Sequence, residues 1–390
     1  MKINKKDLKQ VDFLLIGIVF AITLFGLVAI ANATADALAD DQRTFWNMLA
    51  NMNCYYVRLQ LMWFASGLLL LSIAAVFDYG GYAAYSKYIY WANVGLLVLL
   101  LVLGEVTRGA QGWFTFFNGE RGFQPSEFCK ISLILMLARV FANKPAPIGR
   151  IRDLVSPLAY TLIPFAIVVY QNDFGTAMVY VIIFFGMQFA AQVKGWIIAG
   201  EVLACGGMVP LIWNFVLQDY QKNRIQDLID PARDPTGSGL QVTWAKTAVG
   251  SGQITGKGLF RSGALSELNY VPDAHTDFIF SVTAEAVGFL GCLILVALFV
   301  FLMWRMIHIA RYSRDRVGSL IVAGVVSMMG FHIFENIGMN IGIMPVTGIP
   351  LPFFSYGGSS MWTNLIAVGL VLNVAFRRQK KKAMIGGGEQ

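Results

Sequence analysis

Long, nearly all-apolar runs alternate with short polar breaks along most of the chain. A helix that crosses a bilayer needs about 20 such residues. Ten spans are predicted, at roughly 11–31, 59–77, 88–104, 126–142, 155–170, 174–192, 196–217, 278–304, 319–343 and 360–376. Only Gln171-Asn172-Asp173 separates the fifth from the sixth. The apolar pattern lapses for long only at 218–276, between spans seven and eight. Inside that segment GLQVTWAKTAVGSG places Val242, Trp244 and Ala245 among polar residues, which predicts a short amphipathic helix at the membrane surface. A second lapse, IMPVTGIPLPFFSYGGSS at 343–360, holds Pro345, Pro350 and Pro352 with Gly348, Gly357 and Gly358. Those residues forbid a regular helix, and irregular backbone at membrane depth must be covered by protein or line a cavity. A re-entrant segment before helix 10 follows. The fold class expected is an all-α polytopic membrane protein, a single integral membrane domain over 1–390.

Composition agrees: 56% of the 390 residues are hydrophobic and only 14% are charged, which suits a membrane protein. The net charge of +7 does not point to nucleic acid, because of where it sits. Lys2, Lys5, Lys6 and Lys9, then Lys144, Arg150 and Arg152, then Arg305, Arg311, Arg314 and Arg316, then Arg377, Arg378 and Lys380–Lys382 occupy one set of alternate loops. By the positive-inside rule both termini are cytoplasmic, and 377–390 is a basic cytoplasmic tail. In 218–276 the cations Lys222, Arg224, Arg233, Lys246, Lys257 and Arg261 are nearly balanced by acids, so this long loop is read as extracytoplasmic. The run after the basic N-terminus is too long for a signal peptide and is read as a retained span. Cys54, Cys129, Cys205 and Cys292 form no C-x-x-C pair, so neither a disulfide framework nor a zinc site is expected.

Ionisable groups inside spans are costly and mark candidate function. Glu127 and Lys130 in QPSEFCK lie one helical turn apart, where they can pair; Glu201, Glu285, His332, Glu335 and Asn336 are further polar positions at membrane depth. Interhelical hydrogen bonds that hold the bundle together are the competing explanation for them. Three motifs fail on inspection. SGQITGKG, 251–258, lacks the first Gly, the final Ser/Thr and the βα setting of a phosphate loop. DPARDPTGSG lacks the ligand spacing of a calcium loop, and His275 with Asp277 has no evident Ser or Cys nucleophile.

RGAQGWF (108–114), QPSEFCK (124–130), DFGTA (173–177), DPTGSG (234–239), HTDFIF (275–280), NIGM (336–339) and GIPLPFFSYGGSS (348–360) occur in one order. In that order they resemble the shape, elongation, division and sporulation (SEDS) family from about residue 11 to 376, most like its elongation-type (RodA) members. The resemblance implies a ten-span peptidoglycan glycosyltransferase that polymerises lipid II on the outer face of the bacterial plasma membrane. It implies a class B penicillin-binding protein transpeptidase as partner. It places the family's essential loop aspartate at Asp234, in DP-x-G-x-G, and leaves Asp230 as a turn residue. Two positions depart from the family pattern: Gly112 precedes Trp113 where an Arg is usual, and Asn172 stands where a Pro is frequent.

Joining two sugars requires a base for the attacking hydroxyl and positive charge for the departing pyrophosphate. Asp234 is the expected catalytic base. Arg108, Trp113, Glu127, Lys130, Arg224, Lys246, Lys257, His275, Asp277 and Ser355 are the expected substrate-binding residues, with no protein-held metal. A divalent cation, Mg or Mn, accompanying the pyrophosphate is the one cofactor considered. Two alternatives stay open: a flippase or transporter of lipid-linked precursor, for which a broken helix and midplane charges are also suited, and a division-type (FtsW-like) glycosyltransferase.

Overall fold

Several helices begin where polar side chains cap them. Asp12 accepts from Leu15 N (3.2 Å) at the start of α1 (Phe13–Thr34), and Asp78 from Gly80 N (2.9 Å) at the start of α3 (Tyr79–Leu103), which follows α2 (Cys54–Val76). Pro125 opens α4 (Pro125–Ala142) at the position where its missing N–H costs nothing. A 3-10 turn, Ile151–Leu154, leads into α5 (Val155–Tyr170). Asp173 caps α6 (Phe174–Ala190) through Thr176 N (3.0 Å). Then come α7 (Gly195–Phe215), α8 (Asp219–Ile229), α9 (Ser238–Ser251), α10 (Ile279–Arg311), α11 (Arg316–Asn340) and α12 (Gly358–Phe376). This computed structural model describes residues 12–34, 47, 54–107, 110–116, 120–215, 217–234, 237–260, 264–265 and 273–377. The N-terminal lysines, Arg108, Arg261 and the basic tail after Arg377 lie outside the described residues.

Eight described helices are long and apolar enough to cross a membrane. α4, with Glu127, Lys130 and Arg139, and α6, only 17 residues long, complete a bundle of ten in the ten predicted places. The protein is thus a multi-pass, all-α membrane protein. α8, α9 and a small sheet gather at one end, termed the loop end.

That sheet is not legible in the sequence. β1 (Glu105–Thr107), β2 (Ala110–Phe116) and β3 (Glu120–Phe123) run antiparallel in the order β1-β2-β3 between α3 and α4. Glu105 pairs with Trp113 and Phe114 with Phe123. The helix expected in GLQVTWAKTAVGSG forms as α9, with a correction. Its face of Val242, Ala245 and Ala248 is buried in protein, against Phe278, Val282, Met339 and Val346, and not laid on the membrane surface.

α10 is not one continuous helix. Gly288 has φ 68°, outside helical space, and the helix breaks there. Residues 252–258 fill the break. Lys257 N donates to Glu285 O and Gly258 N to Ala286 O (both 2.9 Å), while Phe289 N donates to Gln253 O (2.9 Å) and Leu290 N to Ile254 O (3.1 Å). Two carbonyls and two N–H groups at the break thereby meet partners, as buried backbone requires. The approach is so close that a Cβ at Gly252, Gly256 or Gly288 would collide with backbone atoms. This is what SGQITGKG does in the fold: its glycines admit a docking contact.

Candidate active site

A cavity of about 640 Å³ opens within the bundle toward the loop end. Trp113 and Gly122 of the sheet, Gln124 and Glu127 of α4, and Asp173 to Thr176 of α6 form one side. Tyr220 and Arg224 of α8, Gln241 of α9, and Asp273 and Asp277 before α10 form another. Glu335 of α11, the extended run Met344–Pro350 and the start of α12 close it.

The extended run is held by asparagines. Asn336 Nδ2 donates to Ile349 O (2.8 Å) and to Asp277 O (3.0 Å). Asn340 Nδ2 donates to the same Asp277 O (3.1 Å), and its Oδ1 accepts from Ser281 N (3.0 Å) and Ser281 Oγ (2.5 Å). Two side chains of α11 thus fix both the turn before α10 and the proline-rich run, whose backbone cannot satisfy itself in a helix. Gly348, at φ 80°, has the conformation that favours glycine, and the Asp277 carboxylate lies against it. Thr347 Oγ1 donates to Glu335 Oε1 (2.6 Å), while Glu335 Oε2 has no partner among the described residues.

Charge on the wall is one-sided. Glu127, Asp173, Asp273, Asp277 and Glu335 face Arg224, the one basic side chain among the described wall residues. Arg224 Nη1 donates to Val346 O (2.8 Å) and its guanidinium lies 5.7 Å from the Tyr220 ring centre. Tyr220 in turn donates to Asn172 O (2.9 Å), and burial pushes its phenol above the ordinary tyrosine range. Asn172 has φ 64°, a value closed to proline, so the departure noted in the sequence shapes the turn between α5 and α6.

Of the residues nominated from the sequence, Trp113, Glu127, Arg224 and Asp277 lie on this wall. Lys130 stands behind Glu127: its Nζ donates to Glu127 Oε1 (2.6 Å), lies 3.1 Å from His332 Nε2 and is buried. His275 is packed between Tyr56 and Tyr356, with ring centres 4.7 and 5.6 Å away. Ser355 Oγ accepts from Leu351 N (2.9 Å) and closes a turn of the proline-rich run. Lys246 lays its aliphatic stem over Gly342. Lys257 Nζ donates to the buried Glu285 (2.6 Å), so its charge serves the α10 break. Arg108 lies outside the described residues.

Asp234 is not among the described wall residues. It ends a 3-10 turn, Pro231–Arg233, at the tip of the α8–α9 hairpin. Its Oδ1 accepts from Gly237 N (2.8 Å), and a Cβ at Gly237 would strike the same carboxylate. A Cβ at Gly239 would strike Pro231 O and Asp234 O. The two glycines of DPTGSG therefore let the turn fold tightly around Asp234. Asp173, Tyr220, Asp273, Gln241 and Glu335 join the site from the fold, and Asn336 with Asn340 holds its backbone. Intramembrane charge was the signal for Glu335.

Ten spanning helices around an acid-lined cavity, with irregular backbone on its wall, define a multi-pass membrane protein with a built internal site. The FtsW/RodA/SpoVE family model, whose description is "Cell cycle protein", matches residues 12–380, and the chain belongs to that family. It is 34% identical over 315 residues to the peptidoglycan glycosyltransferase MrdB of Escherichia coli K12, covering 81% of this chain and 84% of that one. It is similar to a chain in a solved peptidoglycan synthase complex, described as coordinating polymerization and crosslinking: TM-score 0.77, 30% identity, 94% of this chain and 97% of that one. It is also similar to the rod shape determining protein RodA of Thermus thermophilus: TM-score 0.68, 27% identity, 95% and 98% covered.

Proposed function

We propose that this chain is a peptidoglycan glycosyltransferase that polymerises lipid II into glycan strands during cell elongation. The observation that carries the reading is the cavity: a space inside a membrane bundle whose mixed walls bring carboxylates, amides and aromatic rings together in a way suited to sugars, on a fold shared with named peptidoglycan polymerases. The loop end faces outward in this reading, both termini are cytoplasmic, and the partner is a class B penicillin-binding protein.

In the reaction a sugar 4-hydroxyl oxygen forms a bond to the donor's anomeric carbon. The bond from that carbon to the lipid pyrophosphate breaks, and the pyrophosphate leaves with the electron pair. Asp234 takes the hydroxyl proton; the turn that grips its Oδ1 orients it. The cavity holds sugar, because carboxylates and amides accept from and donate to hydroxyls, and Trp113 and Tyr220 offer ring faces. Arg224 is the wall's cation for phosphate. Among the described residues no group of three or more His, Cys, Asp or Glu is placed to hold a metal ion, so no step is drawn through one. A divalent cation arriving with the pyrophosphate remains part of the proposal.

The test is polymerisation of lipid II by the full chain in lipid nanodiscs, with and without the transpeptidase and with Mg or Mn varied. Asp234→Asn is expected to lower the rate at least about 100-fold while the protein stays folded. Wild-type rates in that variant remove Asp234 from the role. The extended run Met344–Pro350 also suits a flippase. Vesicles carrying lipid II on one leaflet separate the two readings: transbilayer movement without polymer favours the transporter.

A further inference from the structure

We propose that Lys257 and Glu285 form a positioning pair for the reaction, a latch that seats the Asp234 hairpin on broken helix α10. This rests on the reading that Asp234 acts on substrate. The hairpin has two ends. At its tip the carboxylate of Asp234 is set by Gly237. At its base α9 ends at Ser251, and the chain runs directly into the segment that fills the α10 break.

Four backbone hydrogen bonds make that seat, and one side chain gathers it. Glu285 Oε1 accepts from Lys257 Nζ (2.6 Å), Leu265 N (3.1 Å) and Ser251 Oγ (3.4 Å). A single carboxylate oxygen therefore joins the end of α9, the docked segment and the chain just beyond it. Glu285 is 2% exposed and Lys257 27% exposed. Breaking the pair from its two sides is thus unequal. Lys257→Met strands a buried carboxylate, whereas Glu285→Gln leaves a lysine that water can reach.

Neither Lys257 nor Glu285 is among the residues that line the cavity, so the loss of the pair acts on orientation and not on ground-state binding. A misplacement of about 1 Å in a reacting group lowers turnover by up to about 100-fold. The expectation is that Lys257→Met lowers kcat about 10- to 100-fold with KM for lipid II within about twofold. Glu285→Gln lowers kcat less. Lys257→Arg, which keeps the charge, restores most of it.

The experiment pairs lipid II kinetics of the full chain in nanodiscs with distance measurements between spin labels. The labels sit at exposed Ile229 on α8 and exposed Ile294 on α10, on a cysteine-free background. Wild type is expected to give one narrow distance, and Lys257→Met a broad set that Lys257→Arg narrows again. Wild-type kcat in Lys257→Met overturns the proposal. So does a lower kcat with an unchanged narrow distance, because the pair then acts other than by seating the hairpin. Should Lys257→Met fail to fold, the double variant Lys257→Met/Glu285→Gln, which strands no buried charge, replaces it and the same outcomes decide. A wild-type protein that makes no polymer counts against the proposed function; the label distances still judge the latch.

Discussion

α7 and α12 are both apolar enough to cross a membrane, yet they sit in opposite surroundings. In α12, 83% of the spanning stretch is buried in protein; in α7, 6% is. Hydropathy cannot separate them, because lipid and protein interior are equally apolar. The polar and small residues can. α12 buries Ser359, Ser360, Thr363, Asn364 and Asn373. Asn373 alone donates to Ala74 O (2.6 Å) and Phe77 O and accepts from Tyr79 N (3.2 Å). Among the described residues α7 has one such interhelical tie, Gln188 Nε2 donating to Glu201 Oε2 (2.7 Å). Glycine by itself misleads. A Cβ at Gly369 of α12 would lie 2.5 Å from Leu71 O on α2, while Gly200, Gly206 and Gly207 of α7 have nothing within 4 Å.

The sharpest way to break this contrast is Gly369→Leu. It forces α2 and α12 apart and is expected to cost about 3 kcal/mol, read as a lower unfolding midpoint in nanodiscs. Unchanged stability would mean that the α2–α12 contact is not tight. Asn373→Leu comes next, at about 1–2 kcal/mol in the same assay, because it strips partners from two carbonyls, one backbone N–H and the Arg377 guanidinium at once. The matching change on the other helix, Gly207→Leu, is expected to move stability by less than about 0.5 kcal/mol. A large loss there would reveal a neighbour that the described contacts do not include.

The ten spans were legible because length and apolarity suffice to mark a crossing helix. The sheet was not: its strands are three, seven and four residues long and lie among glycines and charges, too short for a clear alternation. α8 was missed for another reason, since DYQKNRIQDLI is mostly polar and reads as loop until tertiary contacts select its helix. For the cavity, Glu127 and Asp277 were readable from charge at membrane depth and from motif. Asp173 is readable as the break between two spans and as part of the DFGTA motif but not as a site residue, yet it caps α6 and lines the cavity. Lys257 shows the limit most plainly. The sequence displays a loop cation; only the fold shows that a buried glutamate 28 residues on already claims it.

The break at Gly288 also serves as a depth gauge. Phe289–Arg311, about 23 residues, is ~34 Å long as a helix, close to the ~30 Å thickness of a bilayer's hydrocarbon. Its outward residues, Phe289, Leu290, Leu293, Ile294, Val300 and Phe301, are exposed, as a lipid-facing surface is. From Ile279 to Ala286, by contrast, every residue is buried. One glycine thus divides α10 into a part of hydrocarbon length and a part wrapped in protein beyond it. The docked segment 252–258 marks the boundary between those two parts.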